Sequence, residues 1–292
     1  MEEKYSFKAS QTFVLRDGWT QKAIIEMHNH PNVNVFSKKD GVIYLGVGTN
    51  MVASIKYWLE AAHIISNNSN RVPELTDLGK WIQRKDPYLE SPLSWSLIHI
   101  NLAKNRFSAP LFWVLFHRLG PSESFTKESF CDDVAKYFES KGVPYNPQYI
   151  EDDFSVLVRS YLPSGKSDPE DNMDCPLSSL GLLKQIDRGQ YRKTPVSIEN
   201  IDIRVIYYLT KEILKDKDSI PFEDIVSQPD GPCFIFNLDR NTLMSIFMSL
   251  DNSGFVKVVR SAGLNTVYFL RKKYKLKDLF TDVMGGNKNE NL

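Results

Sequence analysis

The stretch that most limits what this chain can fold into is Val42 to Ile65, VIYLGVGTNMVASIKYWLEAAHII. Val42, Ile43, Tyr44 and Leu45 read as a short strand that stops at Gly46 and Gly48. An amphipathic helix then begins behind Thr49 or Asn50 as N-cap. Both glycines are expected to permit a positive φ or a close backbone approach. Val52, Ile55, Leu59 and Ala62 recur at helical spacing and should face a core. That leaves Thr49, Asn50, Ser54 and Lys56 near the exposed start of the helix.

A Gly-x-Gly turn into a helix N-terminus favours an anion, because oriented N–H groups and the macrodipole act together. The anion is either a cofactor pyrophosphate or a DNA phosphate. A dinucleotide fingerprint asks for a third glycine where Met51 stands, and no second βα unit follows Ile65. A polar turn from Ser66 to Arg71 does follow, with a return segment from Val72 to Trp81. A helix, a polar wing and a return segment are what a winged helix-turn-helix needs after its recognition helix. An ordinary core helix behind a glycine turn is the plainer alternative.

The C-terminal part repeats this logic with a clearer pattern. Ile203 to Leu214 reads as an amphipathic helix, and Ile220 to Ile225 as the start of a short one. Asp239 caps a third from Arg240 to Asn252, with Leu243, Ile246, Phe247 and Leu250 on one face. Phe255 to Arg260 and Thr266 to Leu270 then alternate as a β-hairpin about the turn 261–265. From Asp239 to Lys277, eight basic residues stand against Asp239 and Asp251. The chain as a whole has 36 basic and 36 acidic residues, so any surface that selects a nucleic acid must be local, as this excess is. An excess along a recognition helix and its wing is the footprint of phosphate binding, which places Arg240, Asn241, Lys257, Arg260, Lys272 and Lys273 against DNA. A solvated helix face, or a winged helix used for protein contacts, is the alternative.

Between these parts lie helices that are apolar on nearly every side, Pro92 to Leu102 and Ala109 to Leu119, so they should be buried in the middle of the molecule. Thr126 before Ser129 signals another helix start, and Tyr149 to Tyr161 gives a further helix before the polar break 163–174. The expectation is a mainly α chain with small β-hairpins, of the α+β class, in three parts. These are a winged-helix-like domain over 1–90, a helical middle over 91–200, and a winged-helix domain with a basic tail over 201–292. At 292 residues, 42% of them hydrophobic, the chain can bury one large core or two to three small ones.

Cys131, Cys175 and Cys233 suggest neither a disulfide framework nor a zinc cage. Met1 to Thr20 carries charges and no apolar run, and no stretch reaches transmembrane length, so a cytoplasmic, soluble protein is expected. Common catalytic signatures, GxSxG, HExxH, Walker A and the kinase set, are absent from the sequence. His28 and His30 lack a carboxylate or cysteine at ligand spacing, and His99 and His117 sit on apolar helices as buried, hydrogen-bonded residues. Two acidic groups remain: Asp86 with Glu90, and Glu170, Asp171 and Asp174. Clustered carboxylates can hold Mg2+, which polarises a phosphoryl oxygen and activates water. Asp and Glu in a proline-bounded loop also serve simply as caps.

The blocks LGVGTNMV with Ile55-Lys56-Tyr57-Trp58, Asp86 to Glu90 with Trp95, and Glu170-Asp171-Asn172 with Asp174-Cys175-Pro176-Leu177 resemble a bacterial family of unknown function. Gln11-Thr12-Phe13 with Gly18-Trp19 and Lys22-Ala23, and Leu180-Gly181-Leu182, extend the likeness, which spans Gln11 to Tyr191. Members of that family are similar to the nicking component of Ssp DNA phosphorothioation systems. The resemblance implies a part in replacing a non-bridging phosphate oxygen by sulfur in an antiviral DNA modification. A cysteine desulfurase, an ATPase and a sulfur transferase would be its partners. On this reading the chain nicks a DNA strand; the resemblance itself assigns no catalytic residue, and the carboxylates that the sequence offers for catalysis and Mg2+ are Glu170, Asp171 and Asp174, with Asp86 and Glu90 as alternatives. A non-catalytic DNA-binding adaptor and a winged-helix transcriptional regulator stay open.

Overall fold

The computed structural model describes residues 4–163, 174–214, 217–261 and 263–282. Among these the chain is mainly helical, with one two-stranded and two three-stranded antiparallel sheets, an α+β protein.

Helices α1 (Trp19–Asn29), α2 (Asp40–Leu45) and α3 (Thr49–Ala61) pack on one another. Val42 to Leu45, expected as a strand, are the body of α2. Ser37 and Asp40 decide this. The Ser37 hydroxyl donates to the Asp40 carboxylate (2.8 Å) and accepts the Asp40 N–H (3.0 Å), closing a helix start that four apolar residues cannot override. Gly46 ends α2 with φ +62°. Gly48, by contrast, is extended at φ −62° and is itself the N-cap of α3, with open space where a Cβ would stand. The cap is therefore not Thr49 or Asn50, and only Gly46 uses the left-handed region. The close approach belongs to Gly41, whose Cβ would come within 2.5 Å of Val52 Cγ1 where α2 crosses α3.

After α3, β1 (Ile65–Asn67) pairs with β2 (Pro73–Leu75) as the expected hairpin. The return segment is helical, α4 (Asp77–Lys85), capped by Thr76, whose hydroxyl accepts the Gly79 N–H (3.2 Å).

The middle is built from α5 (Pro92–Lys104), α6 (Pro110–Arg118), α7 (Lys127–Ser140) and α8 (Pro147–Tyr161). Nearly every residue of α5 is buried, as an all-round apolar helix requires. Thr126 and Ser129 cap α7 reciprocally. A sheet unforeseen in the sequence, β3 (Ser124–Thr126), β4 (Leu183–Asp187) and β5 (Gln190–Lys193) in the order β3-β5-β4, closes this part. The β4–β5 turn uses Gly189 at φ +72°.

The C-terminal part comprises α9 (Ile203–Leu214), β6 (Ser219–Pro221), α10 (Phe222–Ser227), α11 (Pro232–Ile235), α12 (Arg240–Asn252), β7 (Val256–Ser261), β8 (Leu264–Phe269) and α13 (Leu276–Thr281). Its sheet runs β6-β8-β7, so the first strand pairs with the last and the β7–β8 hairpin projects from it. Asp239 caps α12, accepting the Asn241 and Thr242 N–H groups at 2.8 and 2.9 Å. The segment expected as a basic tail includes α13, which lies on α9 and α4, with Phe280 stacked on Trp81 (6.1 Å, 11°). No described helix is long and apolar enough to cross a membrane.

His99 ties three parts of the core together. Its Nε2 faces the Ile235 carbonyl and its Nδ1 the Tyr161 hydroxyl, each at 2.7 Å. A carbonyl only accepts, so Nε2 carries the proton and Nδ1 receives one from Tyr161. Burial holds the ring neutral, with its pKa lowered to about 4.

Candidate active site and nucleic-acid face

Three segments far apart in sequence line one cavity of about 540 Å³: Asp17, Glu90 to Trp95, and Asp174 to Ser179. Each is held by local structure. Asp17 stands at the turn into α1, where its Oδ1 accepts the Gly18 N–H (2.9 Å) and Gly18 takes φ +74°. Glu90 and Pro92 flank Ser91, which caps α5. Trp95, one turn into α5, donates its indole N–H to the Leu89 carbonyl (2.8 Å), so its ring is fixed at the wall. Asp174 leads into the 3-10 turn Pro176–Leu180. The neighbouring Cys175 is buried, and that burial pushes its thiol up to about 12, a protonated sulfur rather than a nucleophile.

The two acidic groups marked in the sequence thus meet at one cleft, through Glu90 and Asp174. Asp86 does not line it. Its carboxylate accepts the Glu90 and Ser91 N–H groups (2.9 and 3.2 Å) and shapes the approach to α5, the capping role open to such a residue. Glu170 and Asp171 lie outside the described residues. Among the described residues no group of three or more His, Cys, Asp or Glu side chains stands close enough together to hold a metal ion. Asp17 and Trp95 carry no catalytic signature in sequence; an Asp-Gly pair before a helix and a tryptophan one turn beyond a Ser-Pro start are the only local signals.

Thr49 and Asn50 are exposed at the start of α3, and Lys56 lies 3.7 Å from Glu60 on the same helix. Ser54 does not belong with them. It is fully buried with Val52 and Ile55, because it falls on the face of α3 turned toward the core.

In the C-terminal part Arg240, Asn241, Lys257, Arg260, Lys272 and Lys273 are all exposed. Several are neutralised by acids from outside the counted stretch. Arg240 meets Glu223, Arg271 meets Asp282 (2.7 Å) and Lys272 meets Asp218 (2.6 Å), while Lys257 takes Asp251 (3.2 Å) from within it. Arg260 and Lys273 make no ion pair among the described residues. The field along this face is accordingly weaker than the sequence count implies. It is concentrated on the β7–β8 hairpin and the segment that follows β8.

The family described as "Protein of unknown function (DUF4007)" matches residues 7–283, nearly the whole chain. The chain belongs to that family. The DUF4007 match takes in all three segments of the acidic cleft. No curated protein sequence matches the chain. Two crystal structures share the DUF4007 chain's fold, one described as magnesium ion-bound SspB and one as SspB. Each has 24% sequence identity and a TM-score of 0.77, covering 90% of this chain and 83% of SspB. At that identity the likeness is one of fold.

Proposed function

We propose that this DUF4007 protein is the DNA-binding component of a bacterial DNA phosphorothioation system and that it nicks one strand so that sulfur can be incorporated. The observation that carries the reading is the acidic cleft, where Asp17, Glu90 and Asp174 come from three distant segments to one place. The shared fold with SspB supports the setting. On this reading α1 to α3 with the β1–β2 hairpin, and α9, α10 and α12 with the β6-β8-β7 sheet, act as two winged helix-turn-helix modules. Thr49, Asn50, Lys56, Arg240, Asn241, Lys257, Arg260, Lys272 and Lys273 meet DNA. A cysteine desulfurase, an ATPase and a sulfur transferase are the proposed partners.

The chemistry is phosphodiester hydrolysis: water adds at phosphorus, one P–O bond breaks, and the departing oxygen takes a proton. Glu170, Asp171 and Asp174 remain the proposed catalytic carboxylates and Mg2+ ligands, with Glu90 and Asp17 lining the cleft beside Asp174. The second reading is a non-catalytic adaptor that delivers DNA to the sulfur-transfer proteins.

Conversion of supercoiled plasmid to open circle, with and without Mg2+, separates the two. Nicking by the purified protein that falls by orders of magnitude in Asp174→Asn and Glu90→Gln, with DNA affinity kept, supports the nickase. Intact plasmid under every condition, together with normal DNA binding, leaves the adaptor.

A further inference from the structure

A second cavity, about 440 Å³ and separate from the acidic cleft, lies between the end of α6, β5 and the connection from α11 to α12. Lys193 lines it and is only 4% exposed. Its ammonium donates one hydrogen bond, to the Leu119 carbonyl (2.7 Å), lies 6.0 Å from the centre of the Phe116 ring and feels the Glu123 carboxylate, but makes no ion pair among the described residues. An ammonium has three N–H donors, and a buried one without an anion is costly to keep. Burial is the largest influence on it, drawing its pKa down to about 8, so the charge is still present at neutral pH. A methionine would fill the same space without that cost. Two of its three N–H donors are left for an anion that reaches it from the cavity.

The walls are aromatic. Phe116, His117 and Phe234 line the cavity, and the His117 and Phe234 rings lie 6.1 Å apart at 28°. Behind His117 stands Trp113, stacked at 5.1 Å and 12°. His117 cannot swing away: its Nδ1 faces the Trp113 carbonyl (3.0 Å) and its Nε2 the Asp230 carboxylate (2.9 Å). The N-terminus of α12 opens on the same cavity, but Asp239 already takes its Asn241 and Thr242 N–H groups. The helix end is thus taken, and the cations left to meet an anion are the buried Lys193 and, at the lining, Arg118 and Arg240.

We infer that this cavity binds a nucleoside monophosphate unit, with its phosphate on Lys193 and its base against the face of Phe234 that His117 leaves uncovered. The volume lies within the range of small-molecule sites, and a flat π-face against fixed aromatic rings is how bases are held without regard to sequence. The unit has two sources, a free nucleotide or a nucleotide extruded from DNA. The second source rests on the DNA-binding reading above, since Arg240 at the start of α12 lines the cavity as well; the first does not.

Calorimetric titration of the full chain with dAMP, and separately with inorganic phosphate, tests the cavity itself. Lys193→Met is expected to weaken both at least tenfold while melting no lower than the parent. Phe234→Ala is expected to weaken dAMP and leave phosphate unchanged. A parent protein that binds neither at millimolar concentration, a folded Lys193→Met with parental dAMP affinity, or a Phe234→Ala that holds dAMP as before overturns the inference. Duplexes carrying 2-aminopurine at successive positions then distinguish the sources. A fluorescence rise that Phe234→Ala abolishes supports the extruded nucleotide, and an unchanged signal beside tight dAMP binding supports the free one. A protein that binds no duplex defeats the DNA reading, and the dAMP titration still decides the cavity.

Discussion

Two titratable groups, the buried His99 and the half-buried Asp153, pull the pH dependence of this fold in opposite directions. His99, held neutral with a pKa of about 4 against an ordinary 6.5, binds its proton more readily when unfolded. Its contribution is complete above pH 6.5 and is lost as pH falls toward 4. Asp153 lies beside Ser10 and Tyr57 and is raised by burial to about 6 from 3.8, partly offset by the Lys8 N–H that it accepts at 2.8 Å. The folded state therefore holds its proton more tightly, and stability is lost as pH rises from 3.8 through 6. Each amounts to at most about 3 kcal/mol, so the two nearly cancel between pH 4 and 6. Asp153→Asn keeps an acceptor for Lys8 and removes one of the pair. Its stability relative to the parent is expected to rise by up to about 3 kcal/mol between pH 4 and 7 in urea unfolding, and a difference flat with pH would disprove the assignment.

At the scale of elements, what was readable in the sequence was whatever repeats along one segment. Asp239 with Leu243, Ile246, Phe247 and Leu250 defines α12 to its first residue, and Thr126 with Ser129 defines the start of α7. Val42 to Leu45 was misread because four apolar residues are too few to show a period. The deciding signal, Ser37 three residues before Asp40, lies upstream of them. The glycines also exchange roles. Gly79 is where space is tight: a Cβ there would come within 2.3 Å of the Ile64 carbonyl oxygen, backbone facing backbone. Gly79→Ala is expected to cost about 1–3 kcal/mol, because neither chain segment can yield cheaply. Gly48→Ser, at an open and extended N-cap, should instead stabilise by a few tenths of a kcal/mol by offering an acceptor to the first turn of α3. Thermal melts of the two variants side by side check both signs, and equal destabilisation would mean that the Gly-x-Gly turn is itself the tight point.

For the whole molecule, the acidic cleft and the charge of the C-terminal face both depend on contacts between distant segments, which no window of sequence contains. Glu90 and Asp174 share a cleft because α5 and the 3-10 turn after Asp174 pack together. Glu223, Asp218 and Asp282 neutralise cations that a local count leaves bare. In a chain with 36 charges of each sign, this pairing decides which basic residues can exchange a counterion for a phosphate. Arg260 on β7 and Lys273 after β8 are ready to do so, whereas Lys257 must first give up Asp251. If the wing carries DNA, Arg260→Ala with Lys273→Ala should flatten the plot of log affinity against log salt by about two units, evenly across sequences. Lys257→Ala should move it by less than about one unit, since part of its charge is already spent on a carboxylate. Affinities measured over a range of salt for the double variant and for Lys257→Ala distinguish this from a simple count of basic residues. A count predicts an equal loss at each position, and unchanged slopes in both would turn the C-terminal module into a surface for protein partners.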